Sequence, residues 1–246
     1  MVKIRISVKK LENFIVIALI ITGILIIFNQ VQLAAISSSF SSLTGAASKG
    51  SIFLGLGGKK STDLSKVDVS EITSTAMALA SLFPELNNIN NEQDAISIMI
   101  PTGAPEYSEA LGGITFDDPV NSMEYLAKWY YALKQEIQQN DPQTWQRYLN
   151  LAAAPTGISC EFCCGVGPQG ITADGNLKCG CKHNPAIQAL ALGLMQNTDY
   201  SDAEILREAM KWKTMWFPRN MVGLAMDVAG TDPSQLKSLP GMVGGC

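Results

Sequence analysis

The chain runs to 246 residues, 47% of them hydrophobic, with 18 Lys+Arg against 22 Asp+Glu and a formal charge of −4. The acidic excess leaves no basic patch of the kind nucleic acid requires, so no nucleic-acid partner is expected. The length is sufficient to bury a core without relying on cross-links.

Lys3, Arg5, Lys9 and Lys10 precede an uncharged apolar run from Phe14 to Phe28 (FIVIALIITGILIIF). At ~1.5 Å per residue, a helix extended from Leu11 to Val31 approaches the ~30 Å hydrocarbon core of a bilayer. The expectation is a basic cytoplasmic N-terminus over residues 1–10 and a transmembrane signal-anchor helix over 11–31. By the positive-inside rule the bulk of the chain then lies outside the cytoplasm, as a single-pass protein of the cell membrane. Ala34, Ala35 and Ser37 would also suit a signal peptidase, so a cleaved leader is the alternative. With the four bases and Glu12 set aside, the remainder carries a net charge of about −7.

Residues 32–67 read as a flexible linker, because the Ser, Gly, Ala and Lys between Ser37 and Ser61 cannot bury enough apolar surface to fold alone. A helical domain is expected over 68–158. Within it, the β-branched character of AISIMIP, Ala95 to Pro101, reads as a short strand. A turn-rich surface loop follows, and its Glu106 and Glu109 read as solvated charges rather than as a paired acid–base site. Asp118-Pro119, Asp141-Pro142, Asn184-Pro185 and Asp232-Pro233 each set a capping side chain before a proline suited to the first turn of a helix. Four such starts predict a mostly α fold. The helix from Pro119 to about Gln139 carries Met123, Leu126, Tyr130 and Leu133 on one face, and the helix from Pro142 carries Trp145, Tyr148, Leu149 and Ala152. The short connection between them favours an antiparallel pair.

A Cys-rich region with C-terminal helices is expected over 159–246. Five of the six cysteines, Cys160, Cys163, Cys164, Cys179 and Cys181, fall within 22 residues, and the only histidine, His183, follows at once. Cys160 and Cys163 form a CxxC that can reach one ion from a tight turn, and Cys179 and Cys181 form a CxC. Between them ITADGNLK reads as a small hairpin turning at Asp174-Gly175. The helix opening at Asn184-Pro185 would aim unpaired N–H groups at Cys181 and His183, which favours thiolates there. A capping box of Ser201 and Glu204 starts a further helix running to about Phe217, with Ile205, Ala209, Trp212 and Trp216 on one face and Pro218 as its stop. Met210, Met215, Met221, Met226 and Met242 read as core filling rather than as copper ligands. Cys246 reads as a thiol on a C-terminal tail.

The order of knuckle, hairpin and helix start resembles a treble-clef metal site, with two departures: Cys164 is additional, and the second pair is CxC. Cys160, Cys163, Cys179 and Cys181 are the first choice of ligands, with Cys164 and His183 as alternates. Zinc or an iron–sulfur cluster is the favoured cofactor, with copper as a further possibility. A disulfide-stapled surface or assembly protein is the main rival, since an exported chain with an even cysteine count suits it. A thiol–disulfide oxidoreductase using Cys160 and Cys163 is the third reading, weakened by the lack of a surrounding βαβ pattern. No catalytic motif elsewhere competes with the cluster, so the sequence favours binding over catalysis.

IPTGAPEYSEALGG (100–113), SCEFCCG (159–165) and CGCKHNPAIQALALGL through EILREAMKWKTMWFP together resemble an uncharacterised set of archaeal membrane-anchored cysteine-cluster proteins. That resemblance implies a surface location, where a protein partner would be met, and a cysteine signature, and it implies no activity. Oligomeric state stays open.

Overall fold

The computed structural model describes residues 63–232, 236 and 239–244. Eight α-helices lie among them: α1 (Thr75–Leu82), α2 (Glu92–Met99), α3 (Pro119–Asn140), α4 (Pro142–Ala152), α5 (Glu161–Cys164), α6 (His183–Asn197), α7 (Asp202–Trp216) and α8 (Pro218–Val228). Short 3-10 turns connect several of them. The only β pairing in the described residues is an isolated antiparallel bridge between Ile171 and Leu177. The mostly α expectation therefore holds.

α6 is the centre of the bundle. Every residue from His183 to Met195 is buried, and the helix contains no Asp, Glu, Lys or Arg. A helix apolar on all sides belongs inside a core rather than on its surface. α3, α4 and α7 pack around it, with α3 along the greatest length. Small residues allow the close approach: a Cβ on Gly193 would stand 2.9 Å from the Trp129 ring on α3. Ile187, Leu190, Leu192 and Leu194 are essentially inaccessible, each worth about 1.5–3 kcal/mol in apolar burial. α7 contributes a second buried face through Ile205, Ala209, Trp212 and Trp216, and joins α6 to a layer formed by α1, α2 and α8.

Helix starts follow the capping chemistry. Asp118 and Asp141 each accept a hydrogen bond from the backbone N–H three residues on, with proline in the first turn. Ser201 and Glu204 form the reciprocal capping box. Two expectations are corrected. Residues 95–99 are helical, not extended, because Asn91 caps α2 by accepting from the Asp94 N–H. Ala95 and Met99, four apart, are then buried on one face. Helix α6 begins at His183 and is not capped by Asn184, whose side chain turns inward instead. Pro218 ends α7 as expected and is also the first residue of α8.

Among the described residues no helix is long and apolar enough to cross a membrane. The apolar run at 11–31 and the linker up to residue 62 lie outside them, as do Pro233 and Cys246.

Candidate metal centre

Two loops and the start of α6 build the cysteine site. The first loop leaves α4, passes Ile158 and forms the one-turn helix α5, where the Cys163 N–H donates to the Cys160 carbonyl at 2.9 Å. Gly165 ends that turn with φ +65°, a left-handed conformation open to glycine at little cost. The second loop is the expected hairpin. Gly175 turns it at φ +82°, the Thr172 N–H donates to the Asn176 carbonyl at 2.8 Å, and Lys134 of α3 donates to the Gly175 carbonyl at 2.7 Å. Lys178, at the end of the hairpin, donates its N–H to the Gly170 carbonyl at 2.9 Å. Cys179-Gly180-Cys181 then leads directly into α6.

A buried amide network fixes both loops to α6. Asn184 Nδ2 donates to the carbonyls of Gly170 and Cys179 at 2.9 and 3.1 Å. One turn on, Gln188 Nε2 donates to the Ile158 carbonyl at 2.9 Å and to Asn184 Oδ1 at 3.2 Å. The Tyr148 hydroxyl of α4 donates to Gln188 Oε1 at 3.0 Å. Gly170 must be small here, since a Cβ would run into Gln188 and the Ile158 carbonyl.

The knuckle has a separate anchor. Lys213 of α7 is wholly buried, and its ammonium donates to Glu161 Oε1 at 2.7 Å, the Gly157 carbonyl at 2.9 Å and Thr75 Oγ1 at 3.1 Å. Glu161 also accepts from the Thr75 hydroxyl. Burial pulls the Lys213 ammonium below the ordinary lysine range, and Glu161 opposes that shift. The Phe162 ring lies 5.1 Å from the same nitrogen. Lys213, Asn184 and Gln188 were not recognised from the sequence. Their signal was polar residues on apolar faces: Lys213 is four positions after Ala209, and Asn184 and Gln188 are four apart on an otherwise apolar helix.

The structure brings all six predicted residues together. Sulfurs of Cys160, Cys164, Cys179 and Cys181 lie within 4.8 Å of one another. Cys164 and Cys179 are in disulfide contact, and Cys160 and Cys181 stand 3.2 Å apart. A second group overlaps the first: the ligand atoms of Cys163, Cys181 and His183 also lie within 4.8 Å of one another. Cys164, an alternate by sequence, thus completes the four-sulfur group, while Cys163 faces Cys181 and His183. Cys160 thus meets Cys181 across the two loops, while the closed pair is Cys164 with Cys179. Met210, Met221 and Met226 are buried in the core as expected, and Met242 is exposed. Glu106 and Glu109 are exposed; Glu106 accepts a hydrogen bond from Tyr200.

The electrostatics favour a thiolate. Cys181 is drawn below the ordinary thiol range, first by its hydrogen bond with Cys160, then by His183 and the backbone N–H of Asn184. The Cys160 thiol is pushed far up by the same bond and by burial. Four thiolates about one tetrahedral ion at ~2.3 Å are held about 3.8 Å apart, so Cys164 and Cys179, which are in disulfide contact, and Cys160 and Cys181, at 3.2 Å, would have to part to admit it. The Cys/His cluster could hold a metal ion. Comparison with protein-family models, with curated proteins and with solved structures finds no match for this chain.

Proposed function

We propose that this is a membrane-anchored, extracytoplasmic metal-binding protein whose ion is held by Cys160, Cys164, Cys179 and Cys181. The observation that carries the reading is the convergence of four sulfurs, those of Cys160, Cys164, Cys179 and Cys181, within 4.8 Å of one another at the start of the central helix, with Cys163 and His183 in an overlapping group around Cys181. A staple needs only two sulfurs. The compactness of the group favours a single ion over an iron–sulfur cube, which interposes irons and sulfides between its thiolates. Tetrahedral all-thiolate sites select zinc among the common divalent ions, so zinc is the preferred occupant in a structural role. Export and anchoring rest on the basic N-terminus and the apolar run at 11–31, and the resemblance to archaeal membrane-anchored cysteine-cluster proteins points the same way.

The disulfide contact between Cys164 and Cys179 favours a second reading, a disulfide-stapled surface protein without metal. Both readings are tested on the full chain, extracted in detergent under anaerobic, reducing conditions, by elemental analysis with thiol titration. Retained zinc that is lost in the Cys179→Ser, Cys181→Ser double variant supports the metal centre. No retained metal, with a Cys164–Cys179 bridge that survives mild reductant, supports the staple.

A further inference from the structure

We propose that Cys181 is a shared ligand and that the centre takes two divalent ions, the second held by Cys163, Cys181 and His183. The inference rests on the four-thiolate reading above and extends it. Cys181 belongs to both compact ligand groups, and a thiolate sulfur has lone pairs enough to bridge two ions.

His183 is prepared as a ligand. Its Nε2 stands 3.0 Å from the Val243 carbonyl. A carbonyl only accepts, so Nε2 is the donor in this bond and Nδ1 is the ring nitrogen that would meet an ion. Metal-binding histidines are commonly fixed in this way, with the other ring N–H given to a backbone carbonyl. Val243 is held in turn, its N–H donating to the Trp216 carbonyl at 2.8 Å. Arg219 ties down the same C-terminal segment through the carbonyls of Leu239 and Pro240, at 2.8 and 3.2 Å. The rings of Phe217 and Trp216, with centroids 4.8 and 6.0 Å away, enclose the imidazole.

Charge points the same way. Five thiolates around one divalent ion would leave a net charge of about −3 on a site whose Cys160 and Cys179 are buried, and a second ion reduces it to about −1. The second ion has three protein ligands, the number found where zinc keeps a position for water or a small anion. Cys163 and Cys181 are both only partly buried, which leaves that side accessible.

Zinc titration of the reduced, metal-stripped full chain, followed by elemental analysis after desalting, tests this. Wild type is expected to saturate at two ions per chain, with Cys163→Ser and His183→Ala each retaining one. Because His183 is wholly buried, Cys163→Ser is the variant that decides if His183→Ala misfolds. Cobalt replacement adds an independent readout: two cobalt ions sharing a thiolate couple magnetically, so the moment per ion falls as the second site fills. Saturation at one ion, with Cys163→Ser unchanged, overturns the shared-ligand centre and leaves the four-thiolate site standing. No bound ion at all overturns both.

Discussion

Lys213 shows what single buried groups contribute. Its ammonium is inaccessible, and the Glu161 side chain keeps only 17% exposure, so removing one partner leaves the other charge with poor hydration. Breaking a buried pair costs roughly 3–5 kcal/mol, and the residual exposure of Glu161 places this one near the lower end. Lys213→Ala is therefore expected to lower unfolding stability by about 3 kcal/mol in urea denaturation, while Lys213→Met combined with Glu161→Gln costs less. Equal losses would mean that packing, not charge, sets the effect. Tyr107 offers a test in pH. Its hydroxyl donates to Glu208 Oε2 at 2.8 Å and accepts from Trp212 Nε1 at 2.9 Å. Burial first, and then the Glu208 charge, hold it protonated well above the usual phenol range. A folded pKa above the unfolded one gives stability that is whole below about pH 10 and declines as pH rises beyond it. Tyr107→Phe should cost about 1–3 kcal/mol at neutral pH and weaken that alkaline decline. An unaltered alkaline profile in the variant would place the decline elsewhere, for instance at Tyr148, which burial also raises.

At the scale of elements, the site depends on α6 holding two loops that have no regular structure of their own. Asn184 and Gln188 satisfy carbonyls from both loops, at Ile158, Gly170 and Cys179. Asn184→Ala leaves two buried carbonyls without that donor. It is expected to cost about 1–3 kcal/mol and, by loosening Cys179, to weaken zinc binding roughly 10–100-fold in chelator competition. Unchanged affinity would show that the loops hold their own geometry. Ser201→Ala, which removes one half of the α7 capping box, should cost about 1 kcal/mol with zinc affinity intact. Helices α3, α4 and α7 were legible because their starts are local: an aspartate before proline, or a serine with glutamate three on. Helix α2 was misread because β-branched composition outweighed the Asn91 cap. The start of α6 was misread because an Asn-Pro pair suits a cap, yet tertiary bonds to Gly170 and Cys179 took the Asn184 side chain.

For the molecule as a whole, the cysteine pattern located the site, and the tertiary fold determined which sulfur meets which. Spacing within CxxC cannot reveal that Cys160 meets Cys181, 3.2 Å away across the two loops, nor that Cys163 looks toward His183. Those pairings are set by α6, α7 and the Lys213 anchor, whose contacts are far apart in sequence. Anchoring is a separate property: the full chain is expected to stay with membranes after alkaline carbonate washing, and release of intact, unshortened chain would contradict the signal-anchor reading. The central claim, that sulfurs from two loops share an ion, is tested most directly by X-ray absorption at the zinc edge on the anaerobically purified full chain. The account predicts a shell dominated by sulfur at ~2.3 Å, at most one nitrogen per ion, and loss of the signal in the Cys179→Ser, Cys181→Ser variant. A zinc shell of oxygen and nitrogen, or no zinc at the edge at all, would contradict it.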